Sequence, residues 1–468
     1  MHRSLVFALV IAIAAATPAG AQAPKPAAAP LPAVPPLVLT SAQTDNVSRI
    51  IGAAITDDTA WQRLAYLSDR IGNRISGSSH LDAAIRWATD EMKRDGLENV
   101  HTEKVMVPHW VRGDESAAIL EPVERKLEIL GLGNSVGTPP EGITADVVVV
   151  HDYDELEALG EKVRGKIVCY DVPFTNYGET VQYRGSGASR AAKYGAVAVF
   201  VRSVTPTSLN TPHTGSLRYD DAQPKIPGAA ITVEAAETLS RMQARGEPIR
   251  ARLKMDAKML DDVESANVVA ELRGTEHPEQ VVLLGAHLDS WDVGTGSHDD
   301  GGGCIQIWEA LRTIKRLGIH PRRTIRVVLY TNEENGLRGG LAYREAHKDE
   351  VPNHVLAIET DSGTFRPLGF GITASPLATA QFREVARLLE PIGANAVGGE
   401  GGGADIGAIM KDGAPGAGLN VEGSKYFYYH HTNADTLDKI DPKDLNLCVA
   451  ALAVVAYIVA DMPNRLGQ

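Results

Sequence analysis

Histidines and carboxylates fall in five short stretches whose composition suits a metal. They are His287-Leu288-Asp289, Gly296-Ser297-His298-Asp299-Asp300-Gly301, Glu333-Glu334, Glu359-Thr360-Asp361 and His430-His431-Thr432-Asn433-Ala434-Asp435. Taken singly each is weak, because His-x-Asp pairs, adjacent glutamates and Asp-Asp-Gly turns are common on protein surfaces. Together they make a specific set. Zinc takes imidazole nitrogen and carboxylate oxygen, and a catalytic zinc keeps one position for water. Two zincs about 3.5–4 Å apart need a bridging carboxylate between them. That chemistry asks for one bridging Asp, two histidines, two further acids and one acid left free as a base, and these stretches supply all of them.

The elements that must position them can be read from hydrophobic patterning. Val281 to Ala286, Ile325 to Tyr330 and Val355 to Ile358 are short apolar runs of the buried-strand kind. Each ends directly before one of the acid-bearing stretches, where ligands gather in parallel α/β sheets. Ile305 to Leu317, Leu377 to Leu389 and Leu445 to Ala460 have helical spacing, as do Trp61 to Leu67 and Ala83 to Arg94. This alternation predicts an α/β domain with a central mixed, mostly parallel sheet flanked by helices. The segments 362–376 and 393–404 read as loops. Between about 115 and 258 the texture changes to short β runs, with one clear helix at Ser189 to Tyr194 and no cluster of ligand-type residues. His151, Asp152, Asp154 and Glu155 in that stretch read as a solvated loop. The expected organisation is therefore one catalytic domain, 45–114 and 259–468, interrupted by a β-rich insertion at 115–258.

The chain begins with a basic start at His2 and Arg3, an apolar run from Leu5 to Ala16 and a small-residue site at Ala19-Gly20-Ala21, which reads as a cleaved signal over 1–21. An Ala- and Pro-rich linker or pro-segment is expected at 22–44. No later segment reads as long and apolar enough to cross a membrane. With 46 Lys and Arg against 59 Asp and Glu, the net charge of −13 argues against nucleic acid or an anionic membrane as partner. Three cysteines, Cys169, Cys304 and Cys448, are too few for a disulfide framework, and the last two lie in apolar helical patterns. Signal and sparse cysteine together predict a secreted or periplasmic protein.

The order H-x-D, D-D-G-G-G, E-E, D and H-T-x-x-D-T resembles the co-catalytic zinc aminopeptidase family. Within it the chain is similar to the plasma glutamate carboxypeptidase (carboxypeptidase Q) branch, in VPHWVRG at 107–113, GSHDDGGG at 296–303, SDR and GNRISGS around 68–78, and ETDSGTF at 359–365. Gly165 to Val168 and AAKYGAVAVFV at 191–201 resemble a protease-associated domain. The resemblance implies two zinc ions, with His287 and Asp361 on one, Glu334 and His431 on the other, and Asp299 bridging. Asp299 rather than Asp300 fits because the family's bridging Asp is followed by one residue and a small-residue turn. His431 rather than His430 fits because the family's ligand directly precedes Ser or Thr. Glu333 would be the general base, and Asp289 the catalytic-site acid that orients His287. Asp435 is open between orienting His431 and capping a helix. Glu359 is open between holding a substrate's amino group and a structural salt bridge, with the salt bridge preferred. Glycines follow Asp299 where many relatives have serine, a feature shared by the carboxypeptidase Q branch.

The implied activity is hydrolysis of dipeptides or removal of N-terminal residues from short peptides, with a peptide as substrate and a homodimer as assembly. Three other readings are weaker. A di-zinc hydrolase with a dimerisation lid would carry that lid between Asp361 and His431, where the interval is short. A non-catalytic receptor on the same scaffold would have lost ligands that this chain keeps. A glutaminyl cyclase-like transferase usually lacks the insertion.

Overall fold

The computed structural model describes residues 31–34 and 36–468. The signal read at 1–21 lies outside the described residues, as does most of the linker. The linker ends earlier than expected, because Ser41–Thr56 is already helical. Thr40 starts it with a capping box: its hydroxyl accepts from Gln43 N, and the Gln43 side chain accepts from Thr40 N. The polar first turn hides this start from hydrophobic patterning.

One eight-stranded sheet carries the acid-bearing stretches. Its strand order is Glu98–Val111, Lys258–Leu272, Arg323–Tyr330, His277–His287, His354–Glu359, Gly416–Val421, Pro367–Thr373 and Ala396–Val397. The four strands from Arg323–Tyr330 to Gly416–Val421 run parallel, and antiparallel strands border them on both sides. Arg323–Tyr330 and His354–Glu359 are buried at every residue, as a strand covered on both faces must be. Helices Ser79–Arg94, Gly302–Arg316 and Pro442–Asp461 pack on this sheet. Pro367–Thr373 is a strand within a segment that reads as loop; its glycines, Gly369 and Gly371, dilute the apolar pattern.

Pro442–Asp461 also corrects an expectation. Its 20 residues are long and apolar enough to cross a membrane, yet nearly all of those from Leu445 to Ala460 are buried inside the protein. It is a core helix, started by Pro442 at its first position and by Asp441, whose side chain accepts from Lys443 N. Gln43 and Asn46 tie the first helix to it through Asp461 and Tyr457.

Residues between Glu115 and Met255 form a second eight-stranded sheet, reached through the antiparallel ribbon of Glu98–Val111 and Lys258–Leu272. This unit is less purely β than its sequence reads. Ile143–Val150, Ile167–Tyr170, Ala198–Arg202 and Gly228–Ile231 run parallel, and three helices, Tyr153–Leu159, Tyr177–Ala192 and Val233–Ala244, accompany them. The helix expected at Ser189 to Tyr194 is the end of Tyr177–Ala192, whose first three turns escape notice because glycines break the apolar spacing. Gly187 is there for packing: a Cβ would stand 2.8 Å from the Tyr170 ring. The charged stretch at 151–155 is exposed, with Asp152 capping Tyr153–Leu159 through Glu155 N.

Candidate metal centre

Strand ends bring the acids and histidines together. His287 closes its strand, Glu333 and Glu334 follow Arg323–Tyr330 after a turn in which Asn332 takes φ +65°, and Asp361 follows His354–Glu359. Asp299 lies at the centre. Its Oδ1 is 3.3 Å from His287 Nε2 and its Oδ2 is 3.2 Å from His431 Nε2. His287 Nε2 is also 3.4 Å from Asp361, and His431 Nε2 is 3.0 Å from Glu334. His430 stacks on His431 with ring centroids 3.5 Å apart, and its Nε2 is 3.7 Å from Asp299. Asp300 turns away, accepting from His287 N and Gly303 N.

The surroundings of these side chains differ in detail from the sequence reading. His287 Nδ1 donates to the backbone carbonyl of Asp289 at 3.0 Å, while the Asp289 carboxylate stays 3.8 Å away. That carboxylate instead accepts from the backbone N–H groups of Glu333 and Glu334, at 3.0 and 3.3 Å, and so fixes the turn that presents both glutamates. Asp435 neither touches His431 nor caps a helix in the ordinary sense. It accepts from His298 N at 2.7 Å and Asp299 N at 3.1 Å, holding the turn that carries Asp299. Glu359 has no cationic partner among the described residues, which removes the salt-bridge reading; its carboxylate accepts from Asp405 N and Ile406 N.

Arg74 escaped the sequence reading as a functional residue, although it lies inside GNRISGS. It is fully buried and grips the loop between His287 and Asp299, donating to the carbonyls of Leu288, Thr295 and Gly296 and to that of Gly72. A Cβ on Gly296 would stand 2.9 Å from Arg74 and 2.4 Å from Ser290, so the loop needs glycine there, at φ +57°. No local signal marks such an arginine, because three of its four partners are backbone carbonyls more than 200 residues away.

The donor set fits a metal. His287 Nε2, Asp299 Oδ2, Glu334 Oε1 and Asp361 Oδ1 are buried, converge on one region and have no hydrogen-bond partner, a costly condition unless something electropositive completes them. His287, Asp299 and Asp361 have ligand atoms close enough to share one ion, as do Asp299, His430 and His431. Charge is equally unbalanced. Burial pushes the Glu333 carboxyl well above the usual range, and Asp361, Glu334 and Asp289 add to this against the opposing His287. Burial and then Asp299 push Glu334 to about 7, with His431 opposing. Burial would raise Asp299 too, yet the His287 and His431 imidazoles facing it hold it well below the ordinary carboxylate range. Crowded buried carboxylates of this kind are short of positive charge, which divalent cations supply.

A cavity of about 740 Å³ opens on this cluster. Asp299, Glu333, Glu334, Asp361, His430 and His431 form its floor, and Tyr177, Leu368, Val421, Tyr426 and Phe427 its apolar wall. Tyr177 comes from the second sheet's unit and stacks on Phe427 at 5.2 Å.

Comparison with known proteins agrees with this geometry. The peptidase family M28 model matches residues 267–456. Human carboxypeptidase Q is 49% identical over 427 residues, covering 91% of this chain and 90% of its own, and the Xenopus laevis protein is 50% identical over 431 residues, covering 92% of each. Among solved structures, a peptidase M28 precursor from Shewanella amazonensis superposes with TM-score 0.88 at 34% identity, covering 91% of this chain and 98% of its own. The zinc aminopeptidase BSAP from Bacillus subtilis shares the fold, at TM-score 0.66 and 19% identity, covering 87% of this chain and 96% of its own. A relative this similar over nearly the whole chain places the protein in peptidase family M28 as a metallopeptidase similar to the carboxypeptidase Q proteins.

Proposed function

We propose that the protein is a zinc-dependent exopeptidase that cleaves dipeptides or removes N-terminal residues from short peptides. The observation that carries this reading is Asp299, whose two carboxylate oxygens face His287 and His431 separately. His287 and Asp361 would hold one zinc, Glu334 and His431 the other, and Asp299 would bridge them. Bound there, zinc supplies Lewis acidity: it lowers the pKa of water and polarises a carbonyl. Glu333 is the acid left without a ligand role. It lines the cavity, takes the proton of the attacking water and returns it to the leaving amine. Asp289 keeps Glu333 and Glu334 in register by binding both of their backbone N–H groups. The wall of Tyr177, Tyr426 and Phe427 excludes water and receives an apolar side chain. The same reading takes 115–258 as a protease-associated domain, the mature protein as secreted or periplasmic, and the assembly as a homodimer.

The test is hydrolysis of a free dipeptide, its N-acetylated form and a longer peptide, with and without chelator, beside Glu333→Ala. Chelator-sensitive cleavage that needs the free amino group and disappears in the variant is expected. The ratio of dipeptide to longer peptide then separates dipeptidase from aminopeptidase. Stoichiometric zinc binding without cleavage of any peptide would sink the reading.

A further inference from the structure

His431 is held from outside the sheet that holds the other donors. The inserted unit reaches it chiefly through the backbone of one residue: Thr214 N donates to the His431 carbonyl at 3.0 Å, and the Thr214 carbonyl lies 3.3 Å from His431 Nδ1. A carbonyl can only accept, so Nδ1 turns its proton to it and Nε2 presents its lone pair towards Asp299 and Glu334; Arg184 Nη1, which can only donate, stands 3.4 Å from the same Nδ1 and gives its proton to the nearer Thr214 carbonyl at 3.1 Å. Arg184 fixes that carbonyl in turn. Its Nη1 donates to Thr214 O at 3.1 Å, and its Nη2 donates to the hydroxyl of Tyr177, which lines the cavity.

Arg184 is buried and has no carboxylate partner among the described residues, and its Nε makes no hydrogen bond. A buried guanidinium without a counter-charge is costly, so a merely structural ion pair does not account for it. The backbone is shaped around it as well: Gly215 has φ +134°, and a Cβ there would stand 2.3 Å from the guanidinium carbon. His431 itself sits at φ +62°, a conformation that its surroundings must impose. Nearby, the Thr205 hydroxyl donates to the Phe427 carbonyl at 2.6 Å, so the unit grips the 427–431 segment at two points.

We infer that Arg184, acting through the Thr214 carbonyl, is a positioning residue for His431, and that the inserted unit thereby completes the metal centre on one side only. This rests on the proposed ligand role of His431. Removal of such a support weakens metal binding by about 10–100-fold, and here the loss falls on the Glu334–His431 side alone.

The test is competition between the full-length protein and a chromophoric chelator for zinc. Wild type is expected to bind two zincs; Arg184→Met is expected to weaken one of them about 10–100-fold and leave the other unchanged. Gly215→Ala displaces the guanidinium and gives the same one-sided loss. Arg184→Lys, which can hold the carbonyl but not Tyr177 as well, gives an intermediate loss and keeps the inference testable if the methionine variant does not fold. In a His431→Ala background, Arg184→Met has no further effect. Unchanged affinity at both sites, or an equal loss at both in a folded variant, overturns the inference. If wild type binds no zinc, the peptidase reading fails first.

Discussion

His287 and His431 each face one carboxylate oxygen of Asp299, and they are held there by opposite kinds of support. His287 ends a buried parallel strand, and the carbonyl that receives its Nδ1–H belongs to Asp289, two residues further along. His431 sits in a loop at a left-handed backbone position, and its carbonyl comes from Thr214, in another sheet's unit. Each side also has a buried arginine bonded to the backbone, Arg74 to carbonyls of the His287 loop and Arg184 to that of Thr214, which faces His431. Arg74 makes its bonds within the central sheet's own layer, whereas Arg184 bonds inside the inserted unit and Thr214 carries the support across to His431. One half of the centre is therefore as rigid as the sheet, and the other is as well placed as the packing of two units allows.

This asymmetry can be broken in graded ways. Asp299 serves both sides, so Asp299→Ala is expected to remove both metals and abolish cleavage, as a strong chelator does; elemental analysis that still finds two zincs per chain would refute the shared role. Glu333→Gln separates proton transfer from metal binding. Its kcat should fall by about 10²–10⁴-fold while zinc content stays at the wild-type value. Arg74→Met leaves several buried carbonyls unsatisfied at about 1–3 kcal/mol each, so the folded state should lose about 3 kcal/mol or more in denaturant unfolding. Arg184→Met should lose less, because it gives up fewer bonds; equal losses would mean that the two supports are not different in kind. Ser76→Ala comes last. It removes a long 3.4 Å bond to Asp289 and one from Asn332, and an effect of about 1 kcal/mol is expected, with cleavage nearly intact.

What could be read in the sequence follows the same division. The strands ending at His287, Tyr330 and Glu359 announce themselves as apolar runs, and the acids after them fall where strand ends must open. The family resemblance prefers Asp299 to Asp300, and the two side chains do point in different directions. The long-range supports left no trace in local pattern. Arg74, Arg184 and Thr214 act through backbone groups, which every residue has, so their partners cannot be inferred from residue type. Asp289 reads as a partner for a histidine side chain, and Asp435 as either such a partner or a helix cap, but each binds backbone N–H groups of a turn. Turn geometry decides that, and single residues do not encode it. The helix Tyr177–Ala192 is mostly hidden for a related reason: its glycines lower helix propensity, and Gly187 is required by close packing on Tyr170.

The buried helix Pro442–Asp461 has a consequence for how the molecule comes into being. It is the last regular element of the chain and packs against the first helix and the strands His277–His287 and Arg323–Tyr330. While a ribosome makes the protein from its N-terminus, one face of the central layer stays only partly covered, by the helices Ser79–Arg94 and Gly302–Arg316, until this segment emerges. Nascent chains and premature termination products therefore present apolar surface to whatever surrounds them, and holding factors have a long window in which to act.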